Sequence, residues 1–343
     1  MLRLGHKTLE IPLIQGGMGI AISLSGLAGA VMKEGGMGVI SAAQPGFRME
    51  GFDRDPAGKN LEAIAREAEK ARTIAGSRGL LGLNIMHAGT HYAQYCRQAE
   101  ASGYDAILSG AGLALELPAY VSDDILLAPI VSSLRALQLI VKTWNRRYSR
   151  MPDFVVVEGS EAGGHLGFSR EMLDQGSCPD LSGIVQEIKD QFPEIPLFAA
   201  GGIFDGADVR RIMAAGADGV QVATRLIATW ECDAPQVFKD LLIRAGKEDI
   251  MLLDSPAGFP ARALKTPFSL QLDDSLERNK AEMVCTNCLK TCSHQAAPYC
   301  LSHALMKAAE GDEAQGLFFT GSSAWKICGM QSVKEVVRDL MNE

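Results

Sequence analysis

The stretch PLFAAGGIFDGADVRRIMAAGADGVQVAT, Pro196 to Thr224, decides the fold. It opens on a short apolar run, Pro196 to Gly201, that leaves through a Gly-Gly turn. A helical pattern follows in ADVRRIMAA, Ala207 to Ala215, with apolar residues at helical spacing. A second apolar run, GVQVAT from Gly219 to Thr224, completes the unit. Strand, helix and strand in that order predict two parallel strands joined by a right-handed crossover.

Outward from this unit the same alternation runs back to the N-terminus. Further apolar runs are PLIQGGM (Pro12 to Met18), MGVISA (Met37 to Ala42), LLGLNIM (Leu80 to Met86), AILSGA (Ala106 to Ala111), LLAPIV (Leu126 to Val131) and FVVVEG (Phe154 to Gly159). Helical patterns lie among them at Leu61 to Ala75, Ser133 to Arg146 and Leu181 to Phe192. With the two runs above, the strands number eight. Runs that are apolar on consecutive positions suit a sheet covered on both faces, and eight such units complete a closed α/β barrel of the TIM (β/α)8 type.

A chain of 343 residues fits either two ordinary domains or one large barrel with an added piece. The strand count ends at Thr224, which divides the chain into a barrel over residues 1–228, a smaller Cys-containing inserted region over 229–303, and C-terminal helices over 304–343 that pack back on the barrel. Within the inserted region Ala234 to Gly246 reads as a helix, and SPAGFPARALKTPF (Ser255 to Phe268) as Pro-rich and irregular. LERNKAEM (Leu276 to Met283) leads into a cysteine-dense stretch, and the amphipathic pattern Ser332 to Met341 closes the barrel's outer ring.

The charge balance, 33 Lys+Arg against 41 Asp+Glu, is net negative and contains no basic run, which argues against nucleic acid and anionic membranes as partners. No apolar stretch reaches the roughly 18 residues of a membrane span, and the first residues, MLRLGHKTLEIP, have no signal-peptide core. A cytoplasmic protein acting on a small molecule is expected, with homo-oligomerisation left open. In that compartment the eight cysteines read as thiols or a metal site rather than a disulfide framework.

In such a barrel the active site forms at the C-terminal ends of the strands, and a phosphate commonly sits after the last two. Gly16-Gly17-Met18, Asn84, the stretch EGSEAGGH ending at His165, Gly201-Gly202 and Thr224 all fall at those places. A Gly-Gly turn can point backbone N–H groups into a concavity and favour an anion there. Each feature alone has a plainer reading: glycine is also a tight way out of a strand, Asn84 suits a strand end, and a lone histidine is more often structural. Five such features on one face of one barrel favour a site. Met18, Met37 and Met86 read as core filling, and His87 and His91 as loop or substrate-pocket residues rather than a metal pair, because the glycine between them weakens a helical pairing.

The combination IPLIQGGMG, GLNIM, EGSEAGGHLG, IPLFAAGGI and GVQVATR, extended by SPAGFPARALKTPF, resembles the FMN-dependent family that contains nitronate monooxygenases and flavin-containing enoyl-[acyl-carrier-protein] reductases. That resemblance implies FMN across the barrel mouth. Gly16, Gly17 and Met18 would run along the isoalloxazine, Asn84 and Glu158 would bond the ring edge or ribityl chain, and Gly163 and Gly164 would flank the ribityl-phosphate. Ala200, Gly201, Gly202, Ala223 and Thr224 would form the phosphate site, with Gln221 nearby. The family often has Gly-Thr where this chain has Ala223-Thr224; alanine keeps the N–H donor and adds a methyl. His165 matches the family's active-site histidine, and an imidazole with its ordinary pKa near 6.5 suits proton exchange at neutral pH. The reaction implied is oxidation of alkyl nitronates with O2; alternatives are NAD(P)H-dependent reduction of an enoyl thioester and a flavin- or cluster-binding subunit without catalysis of its own.

Cys285, Cys288, Cys292 and Cys300 form Cys-x2-Cys-x3-Cys-x7-Cys. Three cysteines packed this tightly with a fourth downstream are closer to iron–sulfur ligation than to the paired Cys-x2-Cys of structural zinc, and zinc or unligated thiols remain the alternatives. His294 could substitute as a ligand. Cys96, Cys178, Cys232 and Cys328 are scattered and read as packed or ordinary thiols.

Overall fold

The computed structural model describes residues 1–272, 285–293 and 297–341. His294 and the stretch Leu276 to Met283 lie outside them. A hairpin, β1 (Leu2–Leu4) and β2 (Lys7–Leu9), precedes the barrel strands β3 (Leu13–Gln15), β4 (Met37–Ser41), β5 (Leu80–Met86), β6 (Ala106–Gly110), β7 (Leu126–Val131) and β8 (Val155–Glu158). After the two-residue strand β9 (Gly164–His165), the barrel finishes with β10 (Leu197–Ala200) and β11 (Gly219–Val222). All the barrel pairings are parallel, and β11 pairs with β3 to close an eight-stranded ring. The expected TIM-type barrel is therefore present.

Residue alternation along the strands builds two cores. Outward residues such as Leu13, Ile40, Leu83, Ile107, Val155 and Val220 pack under the helices. Inward residues, among them Ile14, Val39, Leu108, Val156 and Phe198, fill the barrel. Leu4 and Leu9 of the hairpin are fully buried in that inner cluster beside Leu80, Leu126 and Phe154, so the hairpin plugs the end where the strands start. Phe154 and Phe198 meet edge to face at 5.5 Å, and cutting either back to Ala would cost about 3–5 kcal/mol.

The ring of helices contains α1 (Ser25–Lys33), α2 (Pro56–Ala75), α3 (Tyr92–Ala101), α4 (Leu134–Tyr148), α5 (Arg170–Asp174), α6 (Leu181–Gln191), α7 (Gly206–Ala214) and the single turn α8 (Thr224–Ile227). Their starts follow side-chain chemistry: Asp55, Ser133, Asp180 and Asp205 each accept a hydrogen bond from a backbone N–H of the first turn. Thr224, expected as the end of the last strand, instead begins α8, because that strand stops at Val222.

Beyond the barrel come α9 (Gln236–Arg244), the antiparallel strands β12 (Ile250–Asp254) and β13 (Pro260–Leu264), α10 (Pro267–Leu270), α11 (Leu301–Glu310) and α12 (Val333–Met341). Here the expectation for SPAGFPARALKTPF needs correcting. Its middle is regular: β13 pairs with β12 on one side and with β9 on the other, Ala261 opposite His165. Pro260 is tolerated because it is the first residue of its strand. Leu253, Ala261, Ala263, Tyr299, Leu301, Ala304 and Leu317 give this cap its own apolar core. Helix α12 packs against α1 and α7. No described helix is long and apolar enough to cross a membrane.

Candidate active site

At the C-terminal ends of the strands the inward positions turn polar. Val39 is succeeded inside by Ser41, Gly82 by Asn84 and Val156 by Glu158. The apolar filling stops at that level, and a cavity of about 460 Å³ opens above it. Its lining includes Gly16, Gly17, Met18, Asn84, Glu158, Gly163, Gly164, His165, Ala200, Gly201, Gly202, Gln221, Ala223 and Thr224. Residues spread over some two hundred positions of sequence thus meet around one space. Met86 lines it too, whereas Met37 lies in the barrel's inner core.

The glycines have separate causes. Gly201 (φ 95°) and Gly202 (φ 77°) make the turn after β10 in the left-handed region, where a side chain would be strained. At Gly163 a β-carbon would come within 2.6 Å of the Thr320 carbonyl carbon and 2.7 Å of the Gly321 nitrogen. The protein's own returning backbone, rather than a ligand, forbids a side chain there. Gly17 likewise faces the Asn84 side chain at 2.3 Å from an added β-carbon.

That returning backbone forms one wall of the cavity. The Thr320 N–H donates to Arg262 O (3.2 Å), the Gly321 N–H to Thr224 Oγ1 (2.9 Å) and the Ser322 N–H to Glu161 O (3.1 Å). Arg262 Nη1 donates to the carbonyls of Ser160 (2.8 Å) and Ala162 (2.5 Å), which ties the loop before His165 to β13.

His165 sits in β9, with Nε2 at 2.8 Å from Ser255 Oγ and its ring edge-on to Phe319 (5.3 Å) and Phe259 (6.4 Å). Burial among these groups holds the imidazole down to about pKa 4. The ring is therefore neutral at physiological pH, not half-titrated as its ordinary pKa suggested. Glu158 moves the other way: burial pushes its carboxyl up to about 8, so it carries a proton at neutral pH and can donate a hydrogen bond. Two further atoms stand out among the described residues, because Gln221 Oε1 and Thr320 Oγ1 are buried without a hydrogen-bond partner. Both residues line the cavity, where an unpaired buried polar atom is costly until something fills it.

Sequence reasoning missed Ser255, Phe259, Arg262, Phe319 and Thr320 as site residues. The run FFTGSS at Phe318 to Ser323 carried a faint signal, being glycine- and hydroxyl-rich between helices. His87 lies edge-on to Tyr92 at 5.0 Å, while His91 Nδ1 bonds Gln94 Oε1 at 3.0 Å. Cys96 and Cys232 are packed thiols, buried in the outer core, as expected.

A family model described as nitronate monooxygenase matches residues 3–343. The chain belongs to the nitronate monooxygenase family. Among curated relatives, a probable nitronate monooxygenase of Staphylococcus saprophyticus is 32% identical over 142 residues, 40% of each chain. A putative monooxygenase of Mycobacterium tuberculosis is 28% identical over 191 residues, which is 56% of this chain and 47% of that one. The matched region thus spans less than half the length of these relatives. Family membership agrees in fold with solved structures: FabK from Thermotoga maritima superposes with a TM-score of 0.74 at 24% identity, covering 97% of this chain and 92% of that one. Nitroalkane oxidase from Streptomyces ansochromogenes gives 0.71 at 19% identity, covering 97% and 96%.

Proposed function

We propose that this chain is an FMN-dependent oxidoreductase that converts alkyl nitronates, with O2, into carbonyl compounds and nitrite. The observation that carries the reading is the neutral, partly buried His165 facing the cavity over the barrel's polar level. The residues present fit a flavin mononucleotide. The cavity has the volume of a cofactor-sized ligand, the turn at Gly201-Gly202 brings main chain to its edge, the orphaned Gln221 Oε1 needs a hydrogen-bond donor, and the Thr320 hydroxyl needs a donor or an acceptor.

In this reading Gly16, Gly17 and Met18 lie along the ring, and Asn84 with protonated Glu158 bonds its edge or the ribityl chain. Gly163 and Gly164 flank that chain. Ala200, Gly201, Gly202, Ala223 and Thr224 surround the phosphate, and Gln221 accepts a hydrogen bond beside it. When bound, the flavin supplies the electron-accepting chemistry. His165 meets the substrate as a neutral imidazole: its ring N–H can hold the nitronate oxygens, whose carbon has already lost its acidic proton. Ser255 fixes the ring's orientation through Nε2. Phe259 and Phe319 keep water from that end of the cavity.

The names of the family and of its curated relatives favour nitronate over an enoyl thioester as substrate. The test measures nitrite release with ethyl nitronate, alongside NAD(P)H oxidation with an enoyl thioester. Nitrite from the wild type, lost in His165→Ala with flavin still bound, supports the proposal. Nicotinamide-dependent turnover of the thioester without nitrite would assign the chain to the reductase alternative, and unchanged turnover in His165→Ala would remove the histidine from the mechanism.

A further inference from the structure

Four thiols surround a second cavity that the flavin reading leaves unused. Cys285, Cys288, Cys292 and Cys300 all line a space of about 40 Å³. None is in a disulfide. Asn287 takes a left-handed backbone (φ 49°) between the first two, and its N–H donates to Cys285 Sγ at 3.4 Å. A tight turn with an N–H aimed at sulfur is the local geometry that steadies a thiolate ligand. The segment is also pinned to the barrel. The Thr90 N–H donates to Cys288 O (3.2 Å), the Lys290 N–H to Ala88 O (2.9 Å), and Gln44 Nε2 to Thr286 Oγ1 (2.9 Å).

We propose that these four cysteines ligate an iron–sulfur cluster. The cavity offers sulfur and no carboxylate or imidazole among its described lining, which selects soft metal groups: zinc, copper(I) or iron–sulfur. A single zinc ion would draw four sulfurs to about 2.3 Å from one point. Among the described residues no three His, Cys, Asp or Glu side chains are gathered to hold a single metal ion, although four cysteines ring one space. A cage of several irons takes its thiolates at separate corners, and a close cysteine triple with a fourth downstream is the sequence form of such a site. Leu289, Tyr299 and Leu301 give it an apolar surround. A third, small cavity is lined by both Cys288 and His165, so the proposed cluster borders the flavin cavity's neighbourhood without sharing its ligands.

The test is to purify the full chain without oxygen and to measure iron, acid-labile sulfide, zinc and flavin on one sample, before and after reconstitution with ferrous iron and sulfide. Iron and sulfide in equal amounts, with a paramagnetic signal after reduction, are expected. Cys288→Ser and Cys292→Ser should each lose most of both, while Cys178→Ser keeps them. Failure of the reconstituted wild type to hold iron and sulfide would overturn the proposal, as would cysteine-dependent zinc in their place. The wild-type result decides even where a serine variant does not fold. Flavin is counted separately, so a missing cluster and a wrong flavin reading give different outcomes.

Discussion

His165 Nε2 lies 2.8 Å from Ser255 Oγ across ninety positions of sequence, a contact made by strand pairing: β9 sets His165 opposite Ala261 of β13, and Ser255 follows β12. Ser255 Oγ also accepts from the Ala257 N–H at 3.2 Å, so the hydroxyl is itself held in place. A positioned hydrogen bond of this kind is worth about 1 kcal/mol. Ser255→Ala should therefore lower kcat with nitronate about five-fold, leaving KM and flavin content unchanged. A changed KM with constant kcat would assign Ser255 to substrate binding instead.

Because burial lowers the His165 pKa from 6.5 to about 4, the neutral ring persists as pH falls through the usual histidine range. The acid limb of kcat/KM should then lie near 4 instead of 6.5. The same shift predicts a stability trend. Between those values the unfolded chain binds the proton and the folded chain does not, so the contribution to stability is full above 6.5 and declines as pH falls toward 4. Denaturant melts of wild type and His165→Gln over that window check the sign, since the variant should lose this part of the slope.

Glu158 predicts the opposite dependence. Its carboxyl titrates at about 8 folded against 4.5 for the free group, so its contribution is full below 4.5 and is lost as pH rises through about 8. A carboxylate facing the cavity above that pH should also weaken binding of an anionic flavin. Glu158→Gln, which keeps a donor at every pH, should hold flavin at alkaline pH where wild type releases it. Equal release curves for the two proteins would exclude Glu158 from the flavin's neighbourhood.

Thr320 Oγ1 is buried and unpartnered among the described residues. Replacing Thr320 by Val removes a desolvated hydroxyl, so the flavin-free protein should be equally or slightly more stable, while flavin affinity falls about five- to ten-fold. Loss in both measurements would mean that the hydroxyl serves the fold alone.

The barrel was legible because each strand is apolar on both faces and ends in glycine or a polar residue, a pattern that needs no long-range information. Helix α1 was not: Leu27, Ala28, Gly29, Ala30, Val31 and Met32 are all buried, which leaves little polar face to give a helical period. The apolar periodicity starts α2 only at Leu61 instead of Pro56, since Asp55-Pro56 reads as a turn although it is a cap followed by the favoured first helical residue. The inward polar level was visible in Asn84, Glu158 and Gln221. Partners from the cap were hidden: Thr320 lines the cavity, Ser255 holds His165 and Arg262 holds the loop before it, all through pairings that no local pattern encodes. The depressed basicity of His165 was hidden for the same reason: its cause is the packing of Phe259, Phe319 and their strands around it.

The most direct measurement is the visible spectrum of protein purified without oxygen, recorded before and after adding an alkyl nitronate and, separately, NAD(P)H. Bound flavin is expected, with absorption that bleaches with nitronate, recovers on admitting O2 and does not respond to nicotinamide. Flavin bleached by NAD(P)H and indifferent to nitronate would contradict the proposed substrate, and protein without flavin would contradict the site itself.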